Sequence, residues 1–148
     1  MTKVLIVIGS KTDMEYAEKC LKQLQQFQIE GTIEVSSAHR HPDRTRELAE
    51  GAQTGGYALV IAMAGLAAAL PGVVAAHTNL PVIGVPLPAA IGGIDSLLSI
   101  AQMPPGIPVA TMGIGSPGAT NAAILAARII ALVDPKTKSA VDRHRQSL

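Results

Sequence analysis

The run Lys3-Val4-Leu5-Ile6-Val7-Ile8-Gly9 is apolar at every position after the lysine and rich in β-branched side chains. An apolar run without alternation is typical of a central parallel strand that is covered on both faces. Ser10-Lys11-Thr12-Asp13 follows, and apolar residues then recur at helical spacing from Met14 to Phe27. Thr12 and Glu15 match a capping box, which places the start of this helix near Thr12. The segment therefore predicts a β-strand followed by an α-helix.

The same strand-then-helix pattern recurs along the whole chain. Strands are predicted at 3–9, 32–37, 57–62, 81–85 and 109–113, and helices at about 12–27, 42–54, 71–78, 94–103 and 119–132. Five such units with short loops predict one α/β domain with a doubly wound parallel sheet. The favoured strand order is 2-1-3-4-5. We expect this domain to span residues 1–134, and the polar segment 135–148 to form a terminal helix that packs on a neighbouring subunit.

Composition excludes several functional classes. The 148 residues fit one domain, and a net charge of +1 without a basic run favours neither nucleic acid nor a membrane surface as partner. The lone Cys20 rules out an internal disulfide and fits a reducing compartment, so we expect a cytoplasmic protein. The N-terminus leads into a strand rather than a signal peptide. The apolar stretch 57–76 is interrupted by Gly65, Pro71 and Gly72, which indicates a buried strand and helix rather than a membrane span.

The second predicted strand ends in the segment Ser36-Ser37-Ala38-His39-Arg40. In an open parallel sheet, ligands bind outside the carboxyl ends of the strands, where this segment lies. Histidine titrates near neutrality and suits proton transfer, and arginine is a fixed cation suited to phosphate or carboxylate. The alternative is that His39 only caps a loop and Arg40 is solvated.

The segment Gly9–Asp13 occupies the same edge after the first strand. Ser10 and the amides of the helix start suit a phosphate, and Asp13 suits a ribose hydroxyl. The alternative is that Thr12 and Asp13 only cap the helix. Residues 113–118 spell G-x-G-x-x-G, but no strand with a terminal acidic residue follows, so a dinucleotide site is not predicted. His39 and His41 lack a third ligand, so no metal site is predicted.

Five motifs in order resemble those of one family. They are Gly9–Asp13, then Ser37–Arg40 with Pro42-Asp43, then Ala64–Gly72, then Gln102–Pro104 with Gly106–Val109, and finally Asn121–Ala123. The chain resembles the N5-carboxyaminoimidazole ribonucleotide mutase family of purine biosynthesis, also called the catalytic subunit of phosphoribosylaminoimidazole carboxylase. The resemblance covers residues 3–133.

This resemblance implies a flavodoxin-like, three-layer subunit in a homo-octamer whose active sites are shared between subunits. The family moves a carboxylate from the exocyclic nitrogen of a ribonucleotide to a ring carbon without a metal, nucleotide or biotin, so no cofactor is expected. By similarity His39 is the general acid/base. The Ala64-Gly65 backbone and the loop after the fourth strand would enclose the carboxylate. The substrate-binding residues implied are Ser10, Asp13, Ser37, Ala38, Arg40, Ala64, Gly65, Ala69 and Leu70.

Two positions depart from the family pattern. Bacterial mutases carry a second histidine in the third motif, where this chain has Ala69, and a threonine is common where His41 stands. A small residue at position 69 is associated with a branch that carboxylates aminoimidazole ribonucleotide with carbon dioxide, but that branch has lysine where this chain has Arg40. The alternatives are therefore such a carboxylase, a homologue that carboxylates a pyridinium nucleotide for a nickel cofactor, and a non-catalytic nucleotide-binding paralogue.

Overall fold

The computed structural model describes residues 2–148, which form five β-strands and six α-helices. The strands are β1 (Lys3–Ile8), β2 (Glu30–Val35), β3 (Tyr57–Ala64), β4 (Val82–Pro86) and β5 (Ala110–Thr111). The helices are α1 (Met14–Gln26), α2 (Pro42–Gly51), α3 (Leu70–Ala76), α4 (Ile94–Ala101), α5 (Ser116–Ile130) and α6 (Pro135–Gln146). One 3₁₀ turn, Lys11–Asp13, precedes α1.

The five strands form one parallel sheet in the order β2-β1-β3-β4-β5, which confirms the predicted topology. β1 lies between β2 and β3, with Ile6 beside Ile33 on one side and Ile61 on the other. The residues Val4–Ile8 are buried, as expected of a strand covered on both faces. The apolar stretch 57–76 divides into β3 and α3. Within residues 2–148 no helix combines the length and apolarity that a membrane crossing needs.

Two apolar layers cover the sheet, so the fold has three layers. On one face Ile6 and Ile8 belong to a core with buried residues of α1 and α5. On the other face Val7 packs in a core with buried residues of α2, α3 and α4. The alternation along β1 follows from the two-residue period of a strand. Cys20 lies in the first core, where burial raises the pKa of its thiol to about 12, so its predicted core position is confirmed.

The terminal segment forms α6 and packs within its own subunit. Thr137 and Ala140 are buried, and the ring of His144 meets that of Phe27 edge to face at 5.2 Å. Asp134 caps the helix by accepting hydrogen bonds from the amides of Lys136 and Thr137. Hydrogen bonding by the Thr137 side chain is the main cause that lowers the pKa of the Asp134 carboxyl. The contact of this helix with a neighbouring subunit stays a prediction.

Several predicted element boundaries were wrong. The expected capping box of Thr12 is replaced by the 3₁₀ turn, and Ser10 accepts the hydrogen bond from the Thr12 amide. β2 begins and ends two residues earlier than predicted, directly after a turn in which Gln28 has a φ of 60°. α5 begins at Ser116 rather than near Ala119, because Pro117 suits the first helical turn. β5 keeps only Ala110 and Thr111, which pair with Ile83 and Gly84 of β4.

Candidate active site

A cavity of about 570 Å³ lies at the edge of the sheet where the strands end. Its volume falls in the range of small-molecule sites. Loops after four strands, β1 to β4, contribute to its wall. All ten residues that the sequence singled out are on that wall. The lining residues are Gly9, Ser10, Thr12, Asp13, Ser37, Ala38, His39, Arg40, Ala64, Gly65, Leu66, Ala67, Ala68, Ala69, Leu70, Pro88 and Ala89.

The segment after β1 places a hydroxyl and a carboxylate on this wall. Ser10 is extended (φ −152°), and its Oγ accepts hydrogen bonds from the amide of Thr12 at 3.3 Å and from its Oγ1 at 3.0 Å. The Asp13 side chain makes no capping hydrogen bond to α1, so its carboxylate is not used as a helix cap. Partial burial raises the pKa of Asp13, and a backbone hydrogen bond from Ser10 opposes that rise. The carboxylate is therefore available to a ligand.

The loop after β2 carries the imidazole and the guanidinium. The hydroxyl of Ser37 accepts a hydrogen bond from the amide of Arg40 at 3.1 Å, and the Ser37 carbonyl accepts one from the amide of His41 at 2.8 Å. These two bonds close the loop into a tight turn from which His39 and Arg40 project as exposed residues. Over residues 2–148 the Arg40 guanidinium forms no ion pair. Its charge is thus uncompensated and available to an anion.

The loop after β3 has a strained backbone. Leu66 (φ 56°) and Ala68 (φ 44°) adopt the left-handed region, which costs about 1–3 kcal/mol for each residue and is concentrated at functional sites. The amide of Ala68 donates to the carbonyl of Gly65 at 3.0 Å, and the hydroxyl of Ser99 on α4 donates to the carbonyl of Ala67. These bonds hold the loop against the cavity.

Gly65 and Ala69 are the small residues near the two ends of the loop after β3, and both line the cavity. A Cβ at Gly65 would lie 3.3 Å from the carbonyl oxygen of Leu87, so the loop after β4 packs closely there. The methyl group of Ala69 supplies neither a proton carrier nor a hydrogen-bonding atom. In the described part of the chain, His39 is thus the one imidazole on the cavity wall.

Seven lining residues lie in segments that the sequence had singled out but were not themselves named as site residues. They are Gly9, Thr12, Leu66, Ala67, Ala68, Pro88 and Ala89. They are apolar or small except for Thr12, so they carry no chemical signal of their own. Their place in loops after β1, β3 and β4 was the available signal, because ligands bind where parallel strands end.

A second cavity of about 390 Å³ lies where α2 and α3 end, ahead of β3 and β4. Nδ1 of His77 is 3.4 Å from a carboxylate oxygen of Glu50 at this place. None of the predicted site residues lines it. Nowhere within residues 2–148 do three or more potential metal-ligating side chains cluster.

Chemically, the first cavity combines an imidazole, a fixed cation, a carboxylate and a hydroxyl. The other half of its wall is backbone and small apolar side chains. This arrangement suits a small ligand that carries an anionic group and hydroxyls at one end and reacts by proton transfer at the other.

Comparisons with known proteins agree with this geometry. The sequence profile of a family described as AIR carboxylase matches residues 3–148. The N5-carboxyaminoimidazole ribonucleotide mutase of Pyrococcus abyssi is 48% identical over 149 residues, which cover 100% of this chain and 84% of that protein. The mutase of the same name from Escherichia coli K12 is 46% identical, over 98% of this chain and 86% of that protein.

The solved structure of Treponema denticola PurE superposes with a TM-score of 0.90 at 32% identity, covering 99% of this chain and 91% of the other. Fold, motif order and these full-length similarities all agree. The chain belongs to the AIR carboxylase family.

Proposed function

We propose that this protein converts N5-carboxyaminoimidazole ribonucleotide to 4-carboxyaminoimidazole ribonucleotide in purine biosynthesis. The observation that carries the proposal is the convergence of His39, Arg40, Ser10 and Asp13 on one cavity whose remaining wall is mostly apolar side chains and glycine. The relatives that match this chain over nearly its full length bear the name of this mutase.

The ribose-phosphate portion of the substrate would bind at the polar end of the cavity. Arg40 forms charge-assisted hydrogen bonds with the phosphate, since its guanidinium has no competing carboxylate in the described chain. Ser10 donates its hydroxyl proton to the phosphate, and Asp13 accepts hydrogen bonds from the ribose hydroxyls. Ser37 and Ala38 form the wall beside the ring.

The reaction needs one proton carrier. His39 donates a proton to the exocyclic nitrogen while the bond from that nitrogen to the carboxylate breaks, which releases carbon dioxide and leaves the uncarboxylated ring. The ring carbon then forms a bond to carbon dioxide, and His39 takes the proton that this carbon loses. The proton count therefore balances over one cycle, and the reaction requires no metal, nucleotide or biotin.

Carbon dioxide must stay in the cavity between the two steps. The Ala64-Gly65 backbone, Ala69, Leu70 and the loop after β4, which contributes Pro88 and Ala89 to the wall, supply a surface around it. These groups are apolar or backbone, so they do not protonate or hydrate the released molecule. A turnover assay with and without bicarbonate tests the proposal.

We expect the purified protein to convert N5-carboxyaminoimidazole ribonucleotide at a rate that added bicarbonate does not change. The mutase from Escherichia coli, assayed in parallel, is the positive control. No conversion by this chain while the control turns over would contradict the proposal.

One observation favours a second candidate, a carboxylase that uses carbon dioxide and aminoimidazole ribonucleotide directly. Ala69 lies on the cavity wall, at the position where the mutase pattern has a histidine. A carboxylase predicts that turnover of the uncarboxylated ribonucleotide saturates with carbon dioxide and that the N5-carboxylated compound is a poor substrate. Binding of either ribonucleotide without any turnover would instead identify a non-catalytic paralogue.

We further propose that the working unit is a homo-oligomer, an octamer by the family resemblance, located in the cytoplasm. The exposure of His39 and Arg40 in the isolated subunit supports this proposal, because retention of carbon dioxide requires that the cavity be closed to bulk water. A neighbouring subunit would supply that cover.

A further inference from the structure

Two buried hydroxyl groups lie directly beneath the loop that carries His39 and Arg40. Ser36 is 2% exposed and Thr45 is 0% exposed, and their side-chain oxygens are 2.7 Å apart. Ser36 immediately follows β2, whereas Thr45 is in the first turns of α2. The pair therefore brackets the loop and joins its two ends across the core.

The donor directions follow from the third group in this cluster. Oγ1 of Thr45 donates to the carbonyl oxygen of His41 at 3.1 Å, which uses its only proton. Ser36 must then be the donor to Thr45. The result is a chain of hydrogen bonds from Ser36 through Thr45 to the His41 carbonyl.

Backbone hydrogen bonds also hold the ends of the loop, and at its far end the amide of Thr45 donates to the carbonyl of His41 at 3.1 Å. The amide of Ser36 donates to the carbonyl of Ile8 at 2.9 Å, so the start of the loop is fixed to β1, beside Ser10. Arg44 adds one further contact to the carbonyl of Val35 at 3.3 Å, but Arg44 is exposed. The buried hydroxyl chain is thus the side-chain contact that joins the two ends of the loop directly to each other.

At this buried position, a pair of hydroxyl groups stabilises the fold no more than two apolar side chains of the same shape would. A buried neutral hydrogen bond adds little net stability, because both hydroxyls lose their hydration, and two apolar groups of the same shape can replace it almost without loss. A hydrogen bond instead constrains the relative position of the two groups, since it forms only within a narrow range of distance and angle.

We propose that Ser36 and Thr45 are positioning residues that fix the orientation of His39 and Arg40 in the cavity. The catalytic consequence of this inference rests on the proposed function of His39. The positioning of the loop by Ser36 and Thr45 rests only on the hydrogen bonds described above. Neither side chain lines the cavity, so both act through the loop.

The test uses variants that separate packing from hydrogen bonding. Thr45→Val keeps the shape and removes the hydroxyl, whereas Thr45→Ser keeps the hydroxyl and removes a methyl group. Ser36→Ala removes the other partner, and the double variant S36A/T45V leaves no orphaned hydroxyl. Thr137→Val is the control, because Thr137 is also buried and hydrogen-bonded but lies on α6, away from the cavity.

We expect Thr45→Val and Ser36→Ala each to lower Tm by about 5 °C, and the double variant to regain most of that loss. If the pair positions the loop, kcat/KM of the double variant stays about 10- to 100-fold below the wild type although its stability returns. Thr45→Ser should stay within about threefold of the wild type, and Thr137→Val should lose stability only. Hydrogen exchange at the amides of Arg40 and His41 should accelerate in the double variant.

The outcomes separate the two proposals. A wild type that turns over, with a double variant of unchanged kcat/KM and unchanged exchange, would overturn the positioning role and leave the proposed function standing. A wild type without turnover would overturn the proposed function. The positioning role then depends on hydrogen exchange alone, which supports it if the loop amides exchange faster and overturns it if they do not.

Discussion

At the scale of single residues, replacement of His39 should lower turnover, whereas replacement of Arg40 should weaken ligand binding. His39→Asn removes the proton carrier and keeps a polar side chain of similar width, so we expect kcat to fall by about 10²–10⁴ while ligand affinity stays within a few-fold. Arg40→Ala removes a charge-assisted phosphate contact of about 1.5–3 kcal/mol, so ligand binding should weaken about 10- to 100-fold. Steady-state kinetics with calorimetric binding measures both effects, and an active His39→Asn variant would refute the proton-transfer role.

The charged carboxylate of Asp13 should have opposite effects on the stability of the subunit and on ligand binding. Because burial raises the pKa of this carboxyl above its ordinary value of 3.8, the native state binds the proton more tightly than the unfolded chain does. The stability contributed by protonation is present in full below pH 3.8 and is lost as pH rises through the raised folded-state pKa. The charged carboxylate therefore destabilises the subunit at neutral pH.

The neutral variant Asp13→Asn should accordingly raise Tm at pH 7 but not at pH 3, where the wild-type carboxyl is itself protonated. It should also weaken ribonucleotide binding by about tenfold or more, since a hydrogen bond to a charged group is lost. Thermal scans at the two pH values, with binding measured at pH 7, check both statements. A Tm that falls at pH 7 would contradict the burial argument.

At the scale of elements, the start of α5 depends on glycine. A Cβ at Gly118 would lie 1.7 Å from the carbonyl oxygen of Gly113, which is backbone and has little freedom to move. We expect Gly118→Ala to cost about 3 kcal/mol or more of the free energy of unfolding. Gly51 offers the matched control, because it ends α2 with nothing within 4 Å of its added Cβ.

Gly51→Ala should instead stabilise by about 0.5–1 kcal/mol, since alanine loses less conformational freedom in a helix. Urea denaturation of both variants measures the contrast. Equal effects of the two substitutions would show that the close contact at α5 can relax.

At the scale of the whole molecule, α4 presents an apolar face beside the cavity mouth. Ile94 and Leu98 are both more than half exposed and are four residues apart, so they share one side of α4, and the exposed Ile91 lies in the turn that precedes this helix. One carboxylate oxygen of Asp95 is buried without a hydrogen-bond donor from residues 2–148, and Leu66 continues the apolar surface on the loop that Ser99 contacts. If the protein is the homo-oligomer proposed above, we expect a second copy of this chain to cover this face.

Leu98→Glu should therefore shift the protein to smaller species, because burial of a leucine contributes about 1.5–3 kcal/mol at each contact. Light scattering at micromolar concentration measures the mass. Gln25→Glu adds the same charge on exposed α1 and should leave the mass unchanged. A wild-type protein that is monomeric at this concentration would contradict the expectation that a second copy covers this face.

Cys20 should report on opening of the whole subunit. At pH 8 a pKa of about 12 leaves about one thiol in 10⁴ ionised, and the thiolate is the reactive form. Labelling by a disulfide reagent should therefore be slow in the native protein and should accelerate with urea in parallel with global unfolding. Fast labelling without denaturant would mean that α1 separates locally from the sheet.

The prediction from sequence succeeded where the signal was local or periodic. The apolar run of β1 and the repeated strand-then-helix pattern were enough for the parallel sheet and its order, because strand type and helix type follow from residue spacing. Ser10, Asp13, His39 and Arg40 could be named in advance because they follow predicted strands, and parallel strands end at one edge. The other site residues were implied by the family resemblance.

Local patterns gave the wrong result where tertiary contacts decide. Thr12 and Glu15 have the spacing of a capping box, but a 3₁₀ turn places Ser10 at the cap instead. The left-handed backbone at Leu66 and Ala68 has no sequence signal, because neither residue favours it and the surrounding contacts enforce it.

The sequence by itself was enough to predict the fold class, the order of the strands and the side chains able to bind a ligand or transfer a proton. Only the tertiary structure decided that ten of those residues share one cavity, that Ser36 and Thr45 meet beneath the loop, and that α6 packs on its own subunit. The physical reason is that spacing along a chain encodes local geometry. Contacts between distant segments instead depend on how the two layers pack against the sheet.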